Sequence, residues 1–402
     1  MARDPEIAVF ATHVAPALGY GGVSVMAATL TKAFASHARK IWFCASNASL
    51  GGALRPVDVK LGGCVEVLLY RSYWFRRWGF GLGAIPKVLA LCRRVRYVYI
   101  HGIATWPTTL AAIGCVLLRR HFVVAPRGGL MPEHVALIRR KKWHKWLYYQ
   151  WLTLPTLRRA AAIHCTCDLE MKGVTALLGD TAPVFIVPNG VPSKETVVQS
   201  PPAFQRRVLC FLGHIQREKG INAFLRVWLQ CRGQDDRVIV AGHSVDDTYF
   251  GEFQRLVAVA EGAIDYRGYL GREEVAATLA ASHFLVFPSG FEEGGGMREN
   301  FGNVVAEALA AGRPALVTRG LAWDSLEAAG AGLLFDRSPE SLADLLRRIG
   351  TLTPTAWQAM SHRARGYAEQ CLDADALGFK VWQVLTAPVS GLQGGGVGVR
   401  HA

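Results

Sequence analysis

The sequence predicts an α/β chain made of two doubly wound parallel sheets in tandem. Three observations carry this. The 402 residues exceed one ordinary domain and suit two. Short apolar runs alternate with helix-length amphipathic segments, which is the pattern of βαβ units. The pattern lapses in the turn-rich stretch VPSKETVVQSPPAFQRR and restarts at residue 208.

In chain order, the first half offers strands at EIAVFA (6–11), VYIHG (98–102), FVVAP (122–126), AIHCT (162–166) and FIVPN (185–189). The second half offers VLCFLG (208–213), VIVAG (238–242), FLVFPS (284–289) and PALVT (314–318). The expected layout is a first domain over 1–190, a linker over 191–206 and a second domain over 207–370. A C-terminal helix over 371–388 is expected to return to the first domain, followed by a Gly-rich disordered tail over 389–402.

Composition narrows the function classes. Apolar residues make up 51% of the chain, which fits a folded core and argues against disorder. The start, MARDPEIAVF, carries acids early and reads as no secretory leader. The longest apolar stretch, TTLAAIGCVLL, is too short to span a bilayer. Nine cysteines without regular spacing fit reduced thiols better than a disulfide framework or a zinc site. Charge is uneven: up to Gly190 there are 24 Lys and Arg against 8 Asp and Glu, a net +16, while the remainder is −2. A strongly basic half joined to a near-neutral one predicts different tasks for each.

Three segments can carry chemistry. In HVAPALGYGGVSVMAATLTKAF a strand leads through Gly19, Gly21 and Gly22 into a helix, where backbone N–H groups can approach a phosphate. A tight strand–helix turn would look the same. In LGHIQREKGINAFLRVW, Lys219 precedes a helix that starts near Gly220, a placement suited to a diphosphate. An ordinary exposed lysine is the plain alternative. In VFPSGFEEGGGMRENFGNVVAEALAAGRP, a helix beginning near Gly302 carries Glu307 on its second turn. Its free N–H groups can hold an anion while Glu307 accepts hydrogen bonds from a diol. Glu299 stands before that helix, where a favourable charge at a helix start would also explain it. Glu307 sits among Val305, Ala306, Ala308 and Leu309, where an idle glutamate is unusual.

Taken in order, these segments resemble the GT4 family of retaining glycosyltransferases, in the branch that assembles bacterial polysaccharides. The residues that carry the resemblance are Gly21-Gly22; Gly213 to Lys219-Gly220; and Pro288-Ser289 through Glu299, Phe301, Gly302, Glu307, Ala308, Ala310, Gly312 and Pro314. HGIATWP (101–107), APRGGLMPE (125–133) and VPNGV (187–191) extend it over nearly the whole chain.

The resemblance implies the GT-B fold, two Rossmann-like domains facing each other across a cleft. It implies a nucleotide-sugar donor, no metal and no cofactor. Glu307 would bind the ribose, Glu299 the transferred sugar, and the backbone around Asn300, Phe301, Gly302 and Asn303 the sugar and diphosphate. Lys219 would hold the diphosphate, Gly213 and His214 would line it, and Gly21 and Gly22 would approach from the first domain. Tyr269, in RGYLG (267–271), belongs to a loop that would read the base. His101, at a strand end, would face the donor sugar; a core histidine is its plain alternative. His13, Arg127 and Arg217 are further candidates. His214 stands where relatives carry arginine, which lowers the fixed positive charge; Arg217 is the candidate to compensate.

Two segments of the basic half, 70–97 and 134–152, interleave Lys and Arg with Trp and Tyr. This suits an anionic membrane surface and a lipid-linked saccharide acceptor, with no nucleic-acid motif present. The bland reading is a solvated helix whose aromatics pack inward. The expected place is the cytoplasm, peripheral to the inner face of the cytoplasmic membrane. A soluble acceptor, or a degenerate donor-binding module, stays open.

Overall fold

The computed structural model describes residues 5–17, 20–50, 52–196, 204, 206–244, 246–292 and 299–387. Gly19, the run Gly294 to Gly296, the expected tail and part of the expected linker lie outside the described residues. The chain divides into two compact units, one running to Gly190 and resuming at Ala374, the other running from Val191 to Asp373.

In the first unit, β1 (Glu6–Ala11), β2 (Lys40–Ser46), β5 (Val65–Tyr70), β6 (Tyr97–His101), β7 (His121–Ala125), β8 (Ala162–Cys165) and β9 (Val184–Ile186) form one sheet. Its order is β5-β2-β1-β6-β7-β8-β9 and every pairing is parallel. A two-strand hairpin of β3 (Ala48–Ser49) and β4 (Gly52–Ala53) follows β2. The strand order reverses between β1 and β6, the place where doubly wound sheets open a crevice at their carboxyl ends. The helix Gly21–Ala35 leaves β1 there, and His101 closes β6 there.

The helix Ala374–Thr386 completes this unit. It buries Leu377, Val381, Trp382 and Leu385 in the core that holds Phe34 and Tyr99. Gly378 permits the approach, since a Cβ there would lie 2.3 Å from that of Ala33. The helix expected over 371–388 starts at Ala374, because the helix Pro354–Cys371 ends first.

The second unit has β10 (Val208–Leu212), β11 (Arg237–Ala241), β12 (Ile264–Tyr266), β13 (Phe284–Phe287), β14 (Ala315–Thr318) and β15 (Gly332–Phe335) in the order β12-β11-β10-β13-β14-β15, again all parallel. The reversal lies between β10 and β13. The loops that follow those two strands carry Lys219 and Glu299. Several strands are shorter than the sequence suggests. β13 stops before Pro288 and β14 starts after Pro314, since proline has no N–H for the ladder. Among the described residues no helix is long and apolar enough to cross a membrane.

Candidate active site

In the second unit, β10 runs into Gly213 and then a single turn, Arg217–Lys219, ending at Gly220. Gly220 has φ +68°, and a Cβ there would lie 2.2 Å from the Pro288 carbonyl oxygen. Only glycine therefore lets the lysine turn press against the end of β13. The helix Ile221–Cys231 starts at once after it. Gly290 N–H and Ser289 Oγ both donate to the Glu218 carbonyl, at 2.9 and 3.3 Å. Ser289 Oγ also accepts from the Glu299 N–H at 3.2 Å.

This stitching brings Lys219 Nζ into contact with Glu299 Oε2; the two side chains are 23% and 26% exposed. Burial presses the lysine down to about 8, with Glu218 opposing. The adjoining Glu299 carboxylate also favours the ammonium, so the side chain is a cation at neutral pH.

Phe301 is buried against Trp323, whose indole N–H donates to the Phe301 carbonyl. Gly302 has φ +78°, and a Cβ there would fall 2.3 Å from the Phe287 ring. That turn launches the helix Asn303–Ala310 with its amino end at the β13 side of the crevice. Glu307 lies on its second turn, half-buried. Burial raises its carboxyl to about 7, partly offset by Arg272. A carboxyl so placed has spare acceptor capacity for hydroxyls.

Three loops meet beside β10 and β11. Gly213 N–H donates to the Ala241 carbonyl, Ile215 N–H to the His243 carbonyl and Gly242 N–H to the Gly268 carbonyl, all within 3.0 Å. The rings of His214 and His243 meet edge to face at 4.4 Å, and Tyr269 lies 6.1 Å from His243. Gly213, His214 and Tyr269 are thus gathered in one place, with His243 beside them. Arg217 is held in an ion pair. Its guanidinium bonds Glu292 Oε1 at 3.0 Å, while Tyr249 Oη donates to Glu292 Oε2 at 2.6 Å. Its charge is engaged by a buried carboxylate.

In the first unit, Gly21, φ +68°, and Gly22 open the helix that follows β1, and both are exposed. His101 is fully buried at the end of β6. Burial and the Arg127 charge push its imidazole far below the usual range, and the Val23 backbone in that helix's first turn opposes them. It is a neutral ring beside the glycine turn. Arg127 has φ +53° and donates to Asn189 Oδ1 at 2.6 Å and to Tyr99 Oη at 2.9 Å. Tyr99 Oη also meets His164 Nδ1 at 2.7 Å. Arg127 therefore braces β6, β8 and the VPNG turn. His13 is stacked on Tyr20, with Nδ1 at 2.9 Å from Ser46 Oγ and Nε2 at 3.3 Å from the Arg77 carbonyl. Both nitrogens lie within hydrogen-bond distance of groups in the first unit.

Residues 206–351 match the family described as Glycosyl transferases group 1, and residues 10–190 the family described as Glycosyl transferase 4-like domain. Over 120 residues the chain is 33% identical to the GDP-mannose-dependent alpha-(1-6)-phosphatidylinositol dimannoside mannosyltransferase of Mycobacterium tuberculosis, covering 29% of this chain and 28% of that protein. Similar solved structures include Anabaena HepE in complex with UDP and glucose, with TM-score 0.72 and 16% identity over 95% of this chain and 99% of that one. WaaG, a glycosyltransferase involved in lipopolysaccharide biosynthesis, superposes with TM-score 0.67 and 16% identity over 95% of this chain and 100% of its own. The two parallel-sheet units are those of the GT-B fold.

Proposed function

The chain belongs to the GT4 glycosyltransferases, and on that premise we propose that it is a retaining, metal-independent transferase. It moves a sugar from a nucleotide-sugar donor to a lipid-linked oligosaccharide during cell-surface polysaccharide assembly, at the inner face of the cytoplasmic membrane. The observation that carries the reading is the Lys219–Glu299 contact, held by Ser289 just ahead of the helix that bears Glu307.

Cleaving the bond from anomeric carbon to diphosphate leaves negative charge on the diphosphate. Lys219 and the amino end of the helix Asn303–Ala310 are aimed where that charge grows, and the lysine supplies what a metal supplies elsewhere. Glu307 takes the ribose hydroxyls. Glu299, exchanged from Lys219 to the sugar, takes the sugar hydroxyls. The acceptor hydroxyl attacks on the face the diphosphate leaves, with the departing phosphate as base. His101, neutral and buried at the end of β6, is assigned to the donor sugar, and Gly21 and Gly22, through the amides of their helix, to the phosphates. The names of the mycobacterial relative and of WaaG both point to lipid-borne acceptors, which supports that part of the reading.

Transfer assays on Lys219→Ala and Glu299→Ala test the assignment. Each is expected to lose about a hundredfold or more in turnover, in the range of a lost charge-stabilising group. Unchanged turnover would sink it. A thermal-shift panel of UDP-, GDP- and ADP-sugars identifies the donor, since a ligand of the native state raises stability. One observation favours a second reading, a donor-binding module without transfer. With Arg217 engaged by Glu292, the diphosphate meets Lys219 without the usual arginine partner. Donor stabilisation with neither transfer nor hydrolysis would select that reading.

A further inference from the structure

The structure separates the aromatic residues of the basic half into two sets. Trp78, Phe80, Trp106 and Tyr148 pack on one another, with ring centroids 4.9 to 5.7 Å apart along Phe80–Trp106, Trp78–Trp106 and Trp78–Tyr148. Their polar atoms are satisfied: Trp78 Nε1 donates to the Ala104 carbonyl, Trp106 Nε1 to the Gly81 carbonyl and Tyr148 Oη to Thr109 Oγ1. The second set points outward. Trp143, Leu147 and Trp151 are 70%, 45% and 76% exposed, spaced four residues apart on the continuous helical run from Trp143 to Leu157. Trp74 and Phe75, 70% and 75% exposed, form the tip of the loop that ends at Trp78.

The Trp78–Tyr148 contact fastens the loop and the helix to each other, so both prongs belong to one end of this unit. Cations surround them. Arg71, Arg76, Arg77, Arg139, Arg140, Lys141, Lys142, Arg158 and Arg159 are all exposed, and residues 70–97 and 134–159 contain no Asp or Glu. Exposed tryptophans at helical spacing are costly in water, and a basic rim without acids selects a negatively charged partner.

We propose that the Trp74–Phe75 tip and the Trp143–Leu147–Trp151 stripe insert together into the interface of an anionic bilayer, with the surrounding Arg and Lys on the headgroups. Each prong is an aromatic wedge of the kind that settles at headgroup depth. Two wedges and a polybasic rim supply the two signals that stable peripheral binding needs. The inference deepens the lipid-linked acceptor reading and rests on it for its purpose: the bound surface delivers the first unit to an acceptor that cannot leave the membrane.

Flotation of the full chain with phosphatidylcholine vesicles, with and without phosphatidylglycerol, tests this directly. The wild type is expected to float with the anionic vesicles. Brominated lipid is expected to quench its tryptophan emission, and Trp74→Ser/Phe75→Ser and Trp143→Ser/Trp151→Ser are each expected to weaken partitioning by about tenfold or more. A chain that stays unbound at low salt overturns the proposal. So does a variant lacking all four aromatics that still floats like wild type, or a gel-filtration dimer that those substitutions dissociate. The donor thermal shift is measured on every variant and stays intact if they fold. A wild type that fails to float yet responds to a sugar nucleotide refutes the membrane surface alone; one that floats but responds to none refutes the donor reading alone.

Discussion

At the scale of single residues, Glu307 and Lys219 give the site a pH signature. Burial raises Glu307 to about 7, so below that pH it is largely protonated, and in the proposed role it would serve a ribose diol less well. On the proposed assignment, ionisation on the way up should strengthen donor binding, and loss of the Lys219 proton, pressed toward about 8, should weaken it again. Because the Glu307 folded value lies above its unfolded one, the native state holds that proton more tightly. Its contribution to stability is full in acid and is lost as pH rises through about 7. Donor dissociation constants measured by calorimetry across this range should pass through a minimum. In Glu307→Gln the acid limb should vanish, and a flat wild-type profile would refute the pairing. Both residues were legible in the sequence, because a glutamate among small apolar residues and a lysine before a helix start announce themselves locally. Glu292, Tyr249 and His243 were not, since their meaning lies in contacts between loops up to 75 residues apart in sequence. The same distance hid the fate of Arg217.

At the scale of elements, the tightest constraint is the meeting of the lysine turn with the end of β13. Gly220→Ala combines a left-handed φ with a Cβ driven against the Pro288 carbonyl, and is expected to cost about 1–3 kcal/mol. Thermal denaturation should register that loss, and the donor KM should rise because Lys219 and Glu299 separate. A variant with wild-type melting and KM would show the turn to be loosely held. Glycine in the K-G pair was visible in sequence, but the carbonyl that demands it was not. Strands followed a similar divide. Buried central strands such as β1, β6, β10 and β13 read as plain apolar runs. β5 lies mostly half-buried on an edge, and β12 has only three residues, two of them polar or half-buried, so neither stands out from its surroundings. β2 follows its helix so closely that its apolar run merges with the helical pattern.

At the scale of the molecule, the first unit is discontinuous in sequence. It lacks its last helix until the chain has passed through the whole of the second. Leu377, Val381, Trp382 and Leu385 are all buried, and each such side chain is worth about 1.5–3 kcal/mol. Their sum rivals the total stability of a domain. Ending the chain at Asp373 should therefore unfold the first unit while the second still melts cooperatively and still shifts with the donor. Calorimetry of the truncated chain reads both, and an intact first-unit transition would show the helix to be dispensable. During synthesis the order of completion is reversed relative to the order of appearance. The sheet begun by Glu6 cannot be sealed until Trp382 emerges, by which time the second unit has its full sequence available. The half that carries the basic, aromatic surface is thus the last to become a finished domain, with its core open while its partner is already able to fold.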